Sequence, residues 1–236
     1  MNTTLFFSVI LIVCHVVLAL VGFFTGLQAE NVRYLQYVQW LGAAVVFVVL
    51  YLGAEAKRKE RPNQAFTFGG AFLAIFLIGL IAAVGSAVAN YFHIKYLSPA
   101  FPDYMADHIR GQFVDQGMPE SRIDGAVEMQ RKLFQPGLGS VVLFVMSTLT
   151  AAVLGLLHGL ALVRRRSLKS LLTIYALILG ALGLIFGGLG GLMKHEFLLG
   201  AVKGLAINVA VAVIGWGALL KATGYAADAP PAEPTM

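Results

Sequence analysis

Two histidines lie inside long apolar runs, His15 within 5–27 and His158 within 138–163. Imidazole is the side chain best suited to ligate a metal or relay a proton near neutral pH. His158 precedes Arg164 by six residues, about 9 Å of helical rise, and His15 sits near the middle of its run, so their depths differ by about 6 Å if both runs start from one membrane face. On neighbouring helices they would form a pair. A metal site asks for three or four ligands with oriented outer partners, and the nearest soft donor, Cys14, points about 100° away from His15 on a helix. The reading adopted is a neutral imidazole hydrogen-bonded within a helix bundle. A metal site at His15 and His158 is the sharper alternative, and no cofactor is expected.

The remaining polar residues within apolar runs point to packing. Asn90 and His93 fall near the end of their run, where interfacial water would solvate them, and Asn208 suits an interhelical hydrogen bond worth about 1 kcal/mol. Ser86, Ser147, Thr148 and Thr150 can return hydrogen bonds to their own helices. Glycine is more organised. Gly183, Gly187 and Gly191 recur every four residues, Gly155 and Gly159 repeat that spacing around His158, and Gly79, Ala83 and Ala87 hold the same register. Such stripes let helix backbones approach closely, within one chain or between copies.

These residues are carried by six apolar segments, at roughly 5–27, 35–53, 67–93, 138–163, 171–193 and 198–220, none containing Asp, Glu or Pro. Each can cross a hydrocarbon core of about 30 Å at about 1.5 Å per residue, and lipid admits such spans only as helices or closed barrels. The expected fold is all-α, a polytopic helical bundle of six transmembrane helices. Composition agrees: 58% of the 236 residues are hydrophobic and 12% charged, with a mean hydropathy of +0.80, too apolar for a soluble domain. The net charge of +5 is concentrated in short loops, so it marks orientation and not nucleic-acid binding. The single cysteine, Cys14, excludes an intramolecular disulfide.

Lys57-Arg58-Lys59-Glu60-Arg61 and Arg164-Arg165-Arg166 with Lys169 flank span ends, which assigns both loops and both termini to the cytoplasmic side. Tyr34, Tyr37, Trp40, Tyr91 and Tyr96 mark the opposite interface. Residues 5–27 are read as a span and not a cleaved leader, because no Lys or Arg precedes them and the run is too long for a signal h-region of about 7–15 residues. The 95–136 connection predicts two short amphipathic helices: Met105, Ile109 and Phe113 recur every four residues, Gly117-Met118-Pro119 interrupts, and Ile123, Val127 and Phe134 resume the stripe. It would cap the bundle mouth or lie in the headgroup layer, with a ligand-binding lid as the alternative. The Pro-rich stretch 223–236 is expected to be a disordered tail.

Ala65-Phe66-Thr67-Phe68-Gly69-Gly70-Ala71-Phe72, Tyr91-Phe92-His93-Ile94-Lys95-Tyr96-Leu97-Ser98-Pro99 and Gln116-Gly117-Met118-Pro119-Glu120 resemble the bacterial family termed domain of unknown function 4199. The resemblance covers about residues 1–165 and implies four spans with a long loop before the fourth. Where that family often has an acidic residue before the proline, this chain has Ser98. The resemblance brings no activity, cofactor or site residue. It does imply a multi-pass protein of the bacterial inner membrane. The expected organisation is a four-helix unit at 1–165, a C-terminal transmembrane hairpin at 166–222 and the tail.

No span carries an acid or a proline, the halves show no repeat, and no Walker loop, HExxH or GxSxG occurs. The leading expectation is a non-enzymatic membrane protein acting by association, its partners being the bilayer and a second copy or another membrane protein. A small-solute permease or channel comes second and a membrane-embedded enzyme third.

Overall fold

Asn2 starts α1 (Thr3–Phe24) by accepting a hydrogen bond from the Thr4 amide at 3.0 Å, which satisfies one of the N–H groups a helix leaves unpaired at its start. Gly26, at φ 70°, ends it, in the left-handed conformation that glycine adopts without steric cost. After a single turn at Val32–Tyr34, α2 (Leu35–Lys59) returns, with Lys57, Arg58 and Lys59 in its last turn, where the helix dipole favours cations. Thr67 caps α3 (Phe68–Phe92) through the Gly70 amide at 3.1 Å, and α3 runs on into a wide π turn at His93–Leu97. Next come α4 (Phe101–Asp115), α5 (Glu120–Leu133), α6 (Pro136–Leu162), α7 (Leu168–Leu192), a second π turn at Val211–Trp216 and α8 (Gly217–Ala222).

This computed structural model describes residues 2–60, 66–163, 168–192, 202, 206 and 211–224, with backbone alone at 168, 182–192, 211 and 212. Among the described residues the fold is all-α. Four of its helices are long and apolar enough to cross a membrane: α1, α2 with its leading turn, α3 with its π turn, and α6. Shorter apolar helical stretches follow at Lys169–Ala181 and Val213–Ala222. The runs foreseen as spans five and six, together with Asn208, the arginines at 164–166 and most of the tail, fall partly or wholly outside the described residues. Two compact units divide the chain, Met1–Leu156 and Leu157–Met236, with the division inside α6.

In the first unit α3 is the hub: 44% of its apolar window is buried, against 17 to 22% for the other three candidate spans. Its partners can be read from contacts. Ser8 Oγ donates to Ile78 O at 3.0 Å, and further along a Cβ on Gly85 would overlap the Ile12 side chain, so α1 and α3 are parallel. Asn90 meets Ser140, Gly79 faces Ala151 and Gly155 faces Phe72, so α6 is antiparallel to α3. On α2, a Cβ at Gly53 would stand 2.8 Å from Ile78 and 3.0 Å from Phe7, which locks all three helices at one level. Small residues sit where helices meet because lipid supplies no hydrophobic drive between them, and close van der Waals contact must do that work.

The connection folds as two helices broken at Gly117-Met118-Pro119, with Gly117 at φ 71°. Ala106, Ile123 and Val127 form a small core of their own, edged by Phe113 and Met118, and Arg110–Asp124 and Arg131–Asp103 pair across the hairpin. An amphipathic helix with a neighbour of the same kind buries its stripe against that neighbour.

Gly79→Leu should wedge α3 from α6 and destabilise the protein by about 1–3 kcal/mol. Gly69→Ala, at a position with nothing within 4 Å of the added Cβ, should be neutral or stabilising by up to about 1 kcal/mol. Unfolding in mixed detergent micelles measures both, and equal effects would contradict the assigned packing.

Candidate functional site

Polar side chains collect at the end of the first unit where α1 finishes and α3 unwinds. The turn after Gly26 folds Gln28 back onto α1: its Nε2 donates to Ala19 O at 3.2 Å, and Gly22 leaves room, since a Cβ there would stand 3.2 Å from that nitrogen. A carbonyl only accepts, so the amide nitrogen must face Ala19 and the oxygen must face the opposite way. There Gln28 Oε1 lies 2.7 Å from His93 Nε2 and accepts from Ser98 Oγ at 2.6 Å. His93 Nε2 therefore carries a proton, and its Nδ1 is the acceptor of a neutral ring.

The π turn is what brings His93 and Ser98 together. Ser98 N donates to His93 O at 3.0 Å, one residue wider than an α-helical bond, and this aims both side chains at Gln28. His93 is 8% exposed, with Phe23 edge-on at 6.3 Å. It is buried and hydrogen-bonded, not solvated at the interface as its sequence position suggests. Asn90, one turn earlier, ties α3 to α6 by donating to Ser140 Oγ at 3.2 Å. At the rim Lys95 lies 5.3 Å from the ring centres of both Tyr91 and Tyr96 and donates to Tyr91 Oη at 3.2 Å.

Between α1 and this end of α3 lies a cleft of about 290 Å³ lined by His15, Val16, Ala19, Ala89, Asn90 and Phe92 among others, His93 included. His15 is one of its lining residues. Its Nε2 is buried and has no hydrogen-bond partner among the described residues, which differs from the bonded imidazole expected there.

His158 stands in the second unit, in different surroundings. The Trp216 ring meets it edge-on at 4.7 Å and stacks on Tyr175 at 3.7 Å, and Tyr175 Oη donates to Leu157 O at 2.8 Å. All three rings are fully buried. Among the described residues no group of three or more His, Cys, Asp or Glu side chains is placed to hold a metal. Cys14 is a half-buried free thiol. Of the glycines singled out for packing, Gly155 sits against Phe72, where an added Cβ would stand 3.0 Å from the ring. Gly159 is buried. Gly183, Gly187 and Gly191 lie on helical backbone in α7, but their surroundings are outside the described residues.

The model of a family described as a protein of unknown function (DUF4199) matches residues 5–164. The chain belongs to this family. No curated protein and no solved structure matches it. The DUF4199 match takes in α1 to α6 and hence the whole polar cluster, while α7 and α8 lie beyond it.

Two residues of the DUF4199 region escape sequence reasoning. Gln28 reads as loop, and nothing in its neighbours announces that the loop folds inward. Glu55 reads as part of a basic loop, but α2 continues through Lys59, so Glu55 is 4% exposed and Arg58 grips it with Nε at 3.0 Å and Nη2 at 2.9 Å. The three-residue Glu-to-Arg spacing is a legible signal for that pair once the helix is extended.

Gln28→Ala removes the acceptor shared by two buried donors, so it should destabilise by about 1–3 kcal/mol, whereas Ser98→Ala deletes one hydroxyl at about 0.5–1.5 kcal/mol. Denaturation midpoints in detergent rank the two, and a smaller effect for Gln28→Ala would contradict the shared-acceptor geometry.

Proposed function

We propose that this DUF4199 protein is a non-enzymatic, six-span protein of the bacterial inner membrane, with both termini cytoplasmic, that works by associating with another membrane protein. The observation that carries this reading is the solid basic half of the first unit. Leu50, Tyr51, Ala54, Ile75 and Ile78 are each at most 1% exposed, and with Ser8 they pack the region where α1, α2 and α3 meet. Two surfaces are left for partners. Val9, Val13, Val17 and Val21 form one uncovered face of α1, and the α4–α5 hairpin keeps Tyr104, Val114 and Met129 outside its own core. The six-span count and the orientation rest on the lengths of the apolar runs and on the basic last turn of α2.

A small-solute permease is the second reading, favoured by the cleft that reaches His15 from one end.

Photo-crosslinking amino acids placed at Val13, Val114 and Met129 in native membranes separate the two. The association reading expects a protein adduct of discrete mass from at least one position, and tight liposomes after reconstitution. Lipid adducts alone at all three positions, together with solute leakage that His15→Leu abolishes, would contradict it and establish transport.

A further inference from the structure

We propose that the second unit binds one phospholipid with an anionic phosphate head, in the groove between α7 and the segment formed by the second π turn and α8. The inference goes beyond association with a partner protein, but it rests on the part of that reading that puts α7 and α8 in the bilayer. The groove follows from how the two segments meet. Trp216 stacks on Tyr175 at 3.7 Å, and a Cβ on Gly217 would stand 3.7 Å from Leu172. The chain advances along one segment as it goes back along the other, so the two are antiparallel. Lys169 lies one helical turn before Leu172, and Lys221 one turn after Gly217. Both lysines therefore stand toward one end, and Leu177 and Val213 toward the other. All four line a single open groove of about 650 Å³.

Charge selects the head. Among the described residues no Asp or Glu lines the groove, and neither lysine is ion-paired. Thr173 spends its hydroxyl proton on Lys169 O at 3.0 Å, which leaves the two ammonium groups as the donors the groove offers. Lys169 also falls in the first turn of α7, the end of a helix where the dipole disfavours a cation. An anion held between Lys169 and Lys221 relieves both. The sequence adds Arg164-Arg165-Arg166 directly before α7, so four cations fall within six residues, a pattern that draws anionic headgroups to the end of a span.

The rest of the groove selects a chain. Leu172, Ala176, Leu177 and Val213 supply its apolar wall, and Leu177 and Val213 are exposed, so the wall opens sideways to where acyl chains lie. Its volume is within the range of about 300–1,000 Å³ common to small-molecule sites. A soluble phosphate would use the lysines and leave the apolar wall bare. A lipid without net charge would cover the wall and leave both lysines unmatched, and a metal cation would be repelled. One molecule with a phosphate head and an acyl tail satisfies both ends.

The test weighs the full chain by native mass spectrometry after purification in detergent with equal amounts of phosphatidylglycerol and phosphatidylcholine. The native chain should retain phosphatidylglycerol in preference. Lys169→Gln and Lys221→Gln should each lower that preference by about fivefold, the effect of one lysine contact at an anionic membrane surface. Lys169→Arg with Lys221→Arg should keep it, Lys132→Gln on the α4–α5 hairpin should leave it unchanged, and excess glycerol phosphate should not displace the lipid. Equal preference in the native chain and the Lys169→Gln, Lys221→Gln double variant, an equal loss from Lys132→Gln, or displacement by glycerol phosphate would each overturn the proposal. Leu177→Cys in a Cys14→Ser background separates this failure from that of the six-span reading. Protection of that thiol from a membrane-impermeant maleimide, with no lipid preference, sinks the site alone, whereas labelling removes the span and the site together.

Discussion

Everything in the first unit depends on how closely other helices can approach α3. In lipid each helix must satisfy its own backbone, and burying apolar side chains against one another gains little over burying them in acyl chains. What remains is contact distance. Gly79 and Gly85 on α3, Gly53 on α2 and Gly155 on α6 stand where a side chain would collide with the neighbouring helix, and Ser8 adds a hydrogen bond to a backbone carbonyl of α3 that already belongs to the helix ladder. Tight contact at these points gives the basic half its solid interior. It also sets the parallel and antiparallel order of the helices.

The same constraint explains where polar chemistry gathers. Past Gly85 the small-residue contact between α1 and α3 ends and the cleft begins. There α3 widens into a π turn, which brings the side chains of His93 and Ser98 to one acceptor. Gln28 closes the arrangement from the α1 side. The end with the looser packing thus holds the denser hydrogen-bond network, while the basic end keeps its charges at the surface, apart from Glu55 under Arg58.

Much of this is legible in the sequence. Run length and the absence of acids or prolines specify membrane helices, and Gly117-Met118-Pro119 with flanking four-residue stripes specifies the α4–α5 hairpin. Periodicity reports which face of a helix is apolar but not what covers it, so the hairpin's private core is visible only in three dimensions. His93 and Gln28 are 65 residues apart and meet through a loop whose conformation hangs on Gly26, and no spacing rule reaches across that distance. Glu55 lies just past the point where hydropathy falls, although α2 continues to Lys59, a further turn and a half. A pairing of His15 and His158 is read from depth alone. Depth does not say which neighbours each meets, and the structure surrounds one with a cleft and the other with aromatic rings.

The most direct test of α3 as the hub is disulfide trapping in native membranes, in a Cys14→Ser background. Phe72→Cys with Gly155→Cys and Asn90→Cys with Ser140→Cys place thiols at two levels of the α3–α6 contact. Val153 is exposed on α6, so Phe72→Cys with Val153→Cys is the control. Rapid crosslinking of the first two pairs under mild oxidation, with the control unlinked, is the predicted result. A control pair that links as fast as the others, or failure of both contact pairs, would contradict the assignment of α3 as the helix on which the unit is built.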